Sequence, residues 1–550
     1  MANRWGAVTV LGAAQFVMVL DSTVMNVSIS TVVDDLHTTI AAMQTTITFY
    51  TLTMAAFMLL GAKLGDVWGR KRALVIGAIV YAIGSGTTAI SPNIVILFIG
   101  WSVVEGLGAV LVIPAIAALI ADNYEGRARV TAFAVIGAAS GVAVAVGPLI
   151  GGFLTTYASW RYVFAGEVVV MAIVLIFSFL VGDHGGRTPI RIDALSVLLS
   201  AAGLVLVVFA LLQAKTWGWI LPSGGAPFTI LGLSPVPFLI ALGVLLLWLF
   251  FDRQRRLVAS GRPPLLDVSL LHLSRLRAGV GSLGVQYTVT AGLFFIIPIY
   301  LQLTLGLNAL ETGLKIFPLS VSLVLFSIAG TVLTRWLSAR VIVRIGQLVL
   351  VASSLLLVGS VDPELKSALF AVGMFFSGAA LGLMASQLGN VTMSAVGESK
   401  LSEAGGIQGV FQNLGSSLGT ALIGSVLIAS LSSGFATAVA SSSLSESVKS
   451  SVASQTEGGI TPVAVSDVPE IAQKAGLNEE DSKTLASLYE QAQLDSIQLS
   501  LAALAIISCA SLFFSRNLPR EVLGRTKTPA ASEDTPPSRR RQKVPRTTGR

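Results

Sequence analysis

Three carboxylic acids stand in sequence where such a group is hard to keep. Asp21 lies in VLDSTVMNVSI, Glu105 in WSVVEGLG and Glu167 in FAGEVV, each within a long apolar run. In a membrane helix a central charge costs roughly 2.5–3.5 kcal/mol on insertion scales, so a decorative acid is a poor explanation for any of them. One reading is structural. Asp21 would bond a neighbouring helix, with help from Thr23 or Asn26, and the glutamates would face headgroups or a polar cavity. The other reading is chemical. A carboxyl buried away from cations takes up a proton more readily than one in water, and an exchanger of protons for cations needs such groups. Asp21, Glu105 and Glu167 are therefore the candidate proton-coupling residues. Other reactive chemistry is sparse. Cys509 is the only cysteine, which excludes an internal disulfide and a cysteine metal cluster. His37, His184 and His272 are scattered, which speaks against zinc or haem. No cluster of catalytic type appears, so neither an enzyme, a metal nor a cofactor is expected.

The elements that must position these acids follow from composition. The chain is 53% hydrophobic and 12% charged, with mean hydropathy +0.79. Soluble domains are about 25% charged, and a water-facing surface could not absorb this sequence. Spanning helices need about 20 apolar residues each; a barrel would show short alternating segments instead. Apolar segments fall at about 7–30, 42–62, 73–91, 94–121, 129–155, 161–182 and 194–214. Seven more fall at about 229–251, 277–304, 311–334, 339–360, 366–395, 404–433 and 493–515. The first is too long and continuous for a cleaved leader and reads as a span. With an even count and both termini inside, most of the 36 basic residues fall on one side. Positive charge marks the cytoplasmic side. The pI of 9.6 is thus a topology signal rather than a mark of nucleic-acid binding. Residues 434–492 form an acidic, Ser- and Ala-rich outer segment with room for short helices, and 516–550 a basic, disordered cytoplasmic tail suited to anionic lipid.

Between the second and third spans lies GAKLGDVWGRKRAL, Gly61 to Leu74. Topology explains its basic residues, but not Asp66 or the glycines at 65 and 69. The stretch resembles the G-x-L-x-D-x-x-G-R-[RK] loop of the major facilitator superfamily, with Ala62 at the first glycine. The resemblance implies a conformational latch between two halves, formed by Gly65, Asp66, Gly69, Arg70 and Arg72. VLDSTVMNVSI is similar to the first-helix pattern of the fourteen-helix drug:proton antiporters of that superfamily. GAASGVAVAVGPLIGG is similar to their antiporter motif, carried by Gly137, Gly141, Gly147, Pro148, Gly151 and Gly152. Such glycines strip a helix face and let a neighbour approach. In the fourth span Ser102 and Glu105 replace the family's arginine and glutamine, and Glu167 stands where asparagine is common. The N-terminal half therefore gains two carboxyls and loses a cation.

The resemblance covers nearly the whole chain. It implies an all-α polytopic membrane protein with two six-helix bundles, 1–182 and 277–515, joined through two extra helices in 183–276. Binding would lie near the midplane and access would alternate. The expected activity is proton-coupled antiport of lipophilic compounds, cationic ones included, across a bacterial plasma membrane. Export of a lipid, siderophore or endogenous metabolite is the alternative; an anionic cargo would want cavity cations, and Lys315 is the main one. Expected cavity residues are Asn26, Trp101, Gln286, Tyr300, Gln408 and Gln412. The expected partners are a small-molecule substrate, protons and membrane lipids, with no nucleic acid, and the expected state is a monomer.

Overall fold

Inside a bilayer the backbone has no partner but itself, so apolar runs of this length fold as helices. The computed structural model describes residues 5–183, 192–222, 225–397, 400–456, 460 and 462–520. Fourteen described helices are long and apolar enough to cross a membrane. The first six are α1 (Gly6–Asp35), α2 (Ile40–Trp68), α3 (Arg70–Ala89), α4 (Ile94–Asn123), α5 (Gly126–Tyr157) and α6 (Arg161–Phe177). A pair follows, α7 (Ala194–Trp217) and α8 (Pro235–Ala259). Next come α9 (Ser274–Ile299), α10 (Ala309–Leu333), α11 (Ala339–Ser360), α12 (Ser367–Met393) and α13 (Leu401–Ala440). Two short helices, α14 (Glu446–Thr456) and α15 (Val468–Lys474), precede the last span, α16 (Glu479–Phe514).

Helices α1–α6 pack on one another as one bundle, and α9–α13 with α16 as a second. Helices α7 and α8 pack as a pair against α2 and α13, beside the seam between the bundles. Odd and even spans run in opposite directions. One end of the molecule therefore carries the Gly69 turn, Arg253 and Lys400, and is called the basic face. The other carries residues 441–478 and is called the loop face.

Several ends differ from the hydropathy reading, for one reason: charged residues hide helix that continues past the apolar stretch. Helix α8 runs on through Asp252, Arg253, Arg255 and Arg256 to Ala259. Helix α13 has 40 residues and α16 has 36, about 60 and 54 Å at 1.5 Å per residue. Both overshoot a hydrocarbon core of about 30 Å. Their protruding ends carry a small folded cap. Phe435, Val439, Val468, Ala472, Leu485 and Tyr489 form its separate apolar core. The Tyr489 hydroxyl accepts the Val463 N–H at 2.9 Å. The cap is thus built from both helix ends together with residues 441–478 between them. The basic tail lies outside the described residues from 521 onward.

Candidate functional site

Asp21 (α1), Glu105 (α4) and Glu167 (α6) come from three helices, and one carboxyl oxygen of each lies within 4.8 Å of the others. All three are at most 1% exposed. Helix α4 makes this possible by winding as a π-helix from Phe98 to Glu105. Such wider turns concentrate at functional sites. This one carries both Glu105 and Trp101. The Trp101 Nε1 donates to both Asp21 oxygens, at 2.9 and 3.1 Å. The Tyr50 ring stacks on Trp101 with centroids 5.0 Å apart, and its hydroxyl bonds Asp21.

Helix α3 closes the cluster. A methyl placed on Gly84 would come 2.5 Å from the Glu105 nitrogen, and one on Gly108 would come 2.5 Å from the Tyr81 nitrogen. Two side chains would not allow that approach. It brings the Ser85 hydroxyl to Glu105 Oε2 at 2.8 Å and to Glu167 Oε2 at 3.0 Å. The Tyr81 hydroxyl donates to Glu167 Oε2 at 3.2 Å. The donors are too few. Glu105 Oε1 and Glu167 Oε1 are buried without a partner, and Ser85 has one proton for two glutamates. Protons on the carboxyls themselves would supply the missing donors. Among the described residues, those acting most strongly on the three are carboxyls, tyrosines, Trp101 and Ser85, and none is cationic. The cluster could in principle ligate a metal ion as well as hold protons.

Trp101, expected at a cavity, bonds within the carboxyl cluster. Tyr300 is fully buried, and its hydroxyl donates to the Asp362 carbonyl at 2.8 Å and accepts the Asp362 N–H at 3.0 Å. Asn26 turns back on its own helix and donates to the Ser22 carbonyl at 2.9 Å. Gln286 donates to the Leu381 carbonyl at 3.2 Å, which leaves its Oε1 buried and unpartnered. Gln408 has the same vacant acceptor, while Gln412 is half-buried.

At the basic face Gly69 alone separates α2 from α3, with φ +97°. That left-handed backbone suits glycine. Arg70 pairs with Asp122 of α4 at 2.5 Å, within its own bundle, and Arg72 is exposed. Asp66 lines a crevice with Leu59, Lys63, Leu265 and Glu403. Among the described residues, the ion pair that crosses the seam is Lys63–Glu403, 3.2 Å, with side chains only 12% and 17% exposed. The contact across the seam is thus made by Lys63 and Glu403, while Arg70 pairs within its own bundle. Glu403 also meets Lys400 at 3.4 Å, and Lys400 meets Asp267 at 3.0 Å. Burial works against the Asp267 charge, but bonds from Ser269 and Lys400 outweigh it and hold the carboxyl below the usual range. Gln254 Oε1 accepts the Leu265 and Leu266 amides at 2.8 and 3.2 Å. Asp193 caps α7 and takes two bonds from Arg253, 2.6 and 2.7 Å. That guanidinium holds the Asp193 carboxyl well below the ordinary range. The central pair is thereby wired to the seam.

Toward the loop face the seam is held by backbone. Gln302 bonds Ser30 and donates to the Val27 carbonyl at 2.8 Å. Gln44 donates to the Thr420 carbonyl at 2.9 Å, and Thr156 Oγ1 accepts the Leu310 N–H at 3.1 Å. The glycine motif of α5 divides between two partners. Methyls on Gly147 and Gly151 would strike Thr23 and Val24 of α1, while one on Gly152 would lie 2.5 Å from the Ala309 carbonyl oxygen of the other bundle. The Pro148 carbonyl oxygen lies 2.4 Å from a methyl placed on Gly313. At Gly141 the nearest atom is Val324 Cγ2, at 3.6 Å, and at Gly137 nothing lies within 4 Å. The α5–α10 side of the seam is therefore closed from the loop face only as far as Gly141.

This architecture agrees with the sequence comparisons. Residues 11–212 and 187–420 match the family model described as Major Facilitator Superfamily. The chain belongs to the Major Facilitator Superfamily. It is a multi-pass membrane transporter of that family, with fourteen spans. It is 30% identical over 432 residues to the puromycin resistance protein pur8 of Streptomyces alboniger, covering 77% of this chain and 82% of that protein. It is 28% identical to a probable actinorhodin transporter of Streptomyces coelicolor, with 77% and 72% covered. The multidrug resistance protein Stp of Mycobacterium tuberculosis is 27% identical, with 78% and 77% covered. The crystal structure of a bacterial homologue of the human lysosomal transporter Spinster, inward-facing, shares the fold at 15% identity and TM-score 0.57, covering 94% and 98%.

Proposed function

We propose that the chain is a secondary active exporter that exchanges protons for a lipophilic compound, cationic ones included, by alternating access. The observation that carries this reading is the buried cluster of Asp21, Glu105 and Glu167 with unpartnered oxygens and, among the described residues, no cation among its strongest neighbours. Such a site can hold protons in one state and release them in another. The protein's own donors supply part of the bonding, and the protons supply the rest. The clamp of Asp21 by Trp101 ties the state of the acid to the π-helix of α4. The Lys63–Glu403 pair is the gate at the basic face, and the small-residue contacts of α5 with α10 are the hinge side. Basic residues crowd the basic face, which supports a cytoplasmic basic face, an external cap and a plasma-membrane location. The names of the relatives, resistance and transport proteins, support a drug or antibiotic as cargo. One relative is named for a single compound, actinorhodin, so a dedicated exporter is the second reading.

The test is flux in proteoliposomes under an imposed proton gradient, read with a fluorescent lipophilic cation. Gradient-dependent transport that a protonophore abolishes, and that Glu105→Gln or Glu167→Gln removes, supports antiport. Transport insensitive to the gradient would overturn it. A panel of chemically unrelated substrates then separates broad from dedicated export.

A further inference from the structure

The sequence carries no charged residue between Lys215 and Asp252. This stretch includes the last turn of α7, most of α8, and the connection between them at the loop face. The connection is not a polar loop. It turns back on itself through a small antiparallel bridge between Ile230 and Leu233, whose amides and carbonyls pair at 3.0 and 2.9 Å. Its base is pinned by the Ser234 N–H to the Ile220 carbonyl, 2.9 Å. The tip presents large apolar side chains to the outside. Leu231 is 90% exposed, Leu221 73%, Ile220 63%, Phe228 54% and Trp219 51%. Leu231 also has φ +53°, a conformation that glycine or asparagine adopts more readily. In water neither the residue nor its conformation has an advantage there.

We propose that the apolar residues 219–222 and 225–233, gathered at the hairpin bridge, insert into the bilayer leaflet at the loop face. The occupant is lipid, at the level where headgroups meet acyl chains. Three observations argue for it. The hairpin joins two spans whose outer surfaces are already apolar, with Leu198 62%, Val244 54% and Trp248 61% exposed, so its exposed side chains continue a lipid-facing surface. It brings no charge that would have to be dehydrated. It offers Trp219 at its base, the residue type that favours the interface. Burying each large apolar side chain away from water is favourable, and several act together. The hairpin thus anchors the α7–α8 pair in the leaflet, beside the seam between the bundles.

Depth can be measured directly. In a Cys509→Ser background, single cysteines at Leu231 and, separately, at Phe228 are spin-labelled in proteoliposomes. Collision with oxygen, which concentrates in lipid, is compared with collision with a water-soluble nickel chelate. Leu198→Cys on α7 is the lipid reference and Ser450→Cys in the cap the water reference. The expected result is an oxygen-to-nickel ratio at both hairpin sites at least fivefold above that of the cap label, the α7 value being the upper limit. A ratio equal to the cap label at both sites overturns the proposal. So does dipolar broadening between labels on separate copies, which would mean that a second chain covers the hairpin.

Discussion

Trp101 commits its indole N–H to Asp21, and Ser85 divides one hydroxyl between Glu105 and Glu167. Trp101→Phe keeps the stacked ring on Tyr50 but leaves Asp21 a donor short. Losing a donor to a buried acid costs about 1–3 kcal/mol. Thermal unfolding should show that loss, and gradient-driven flux should fall about tenfold. At Asp193 the sign of a pH effect can be worked out. Arg253 lowers its folded value below the unfolded one, which is about 3.9. The stabilisation is therefore complete above that pH and is lost as pH falls through the folded value. With both side chains partly exposed, Asp193→Asn should cost about 1 kcal/mol at pH 7. The gap from wild type should narrow below about pH 4 in denaturation curves. At this scale the acids were legible because a charge is conspicuous among apolar neighbours. Ser85, Tyr81 and Tyr50 were not. Hydroxyls are ordinary in membrane helices, where most bond a carbonyl of their own helix, and only the packing of α3 on α4 shows which acids these reach. Trp101 was visible as an aromatic, but its partner eighty residues away was not.

At the scale of helices, small residues set the distances. The glycine motif of α5 repeats a G-x-x-x-G pair in sequence, but the two pairs have unequal surroundings. Gly152→Ala would force the Ala309 backbone of the other bundle to move, whereas Gly137→Ala meets nothing. Overpacking costs about 1–3 kcal/mol. Gly152→Ala should therefore lower the melting temperature and the transport rate, and Gly137→Ala should leave melting within error of wild type. Equal effects would contradict the packing. The helices themselves were readable from hydropathy because lipid demands length and apolarity together. Their ends were not, wherever charge lies on helix beyond the bilayer. The start of α16 at Glu479 and the end of α8 at Ala259 are both of that kind. The π-helix of α4 had no sequence signal: its residues are as apolar as any α-helical run.

For the molecule as a whole, the two bundles are held at the basic face by Lys63 and Glu403, with Lys400 and Asp267 behind them. The basic loop after α2 pointed to a latch, but a family pattern read along one strand of sequence could not show which cation reaches across 340 residues. A partly buried pair of this kind contributes about 1 kcal/mol, enough to move a two-state population about fivefold. Lys63→Ala should therefore widen the distance between spin labels placed on the two bundles at the basic face. The exchange Lys63→Glu with Glu403→Lys should restore it. The central claim, that the carboxyl cluster carries the coupling protons, is tested most directly by proton release. Purified wild-type protein in weakly buffered detergent is mixed with a transported lipophilic cation, and the pH change is read with an indicator dye. The account predicts stoichiometric release from wild type, diminished in each of Asp21→Asn, Glu105→Gln and Glu167→Gln and absent when all three are combined. Undiminished release from the triple variant, with substrate still bound, would place the coupling protons elsewhere and contradict it.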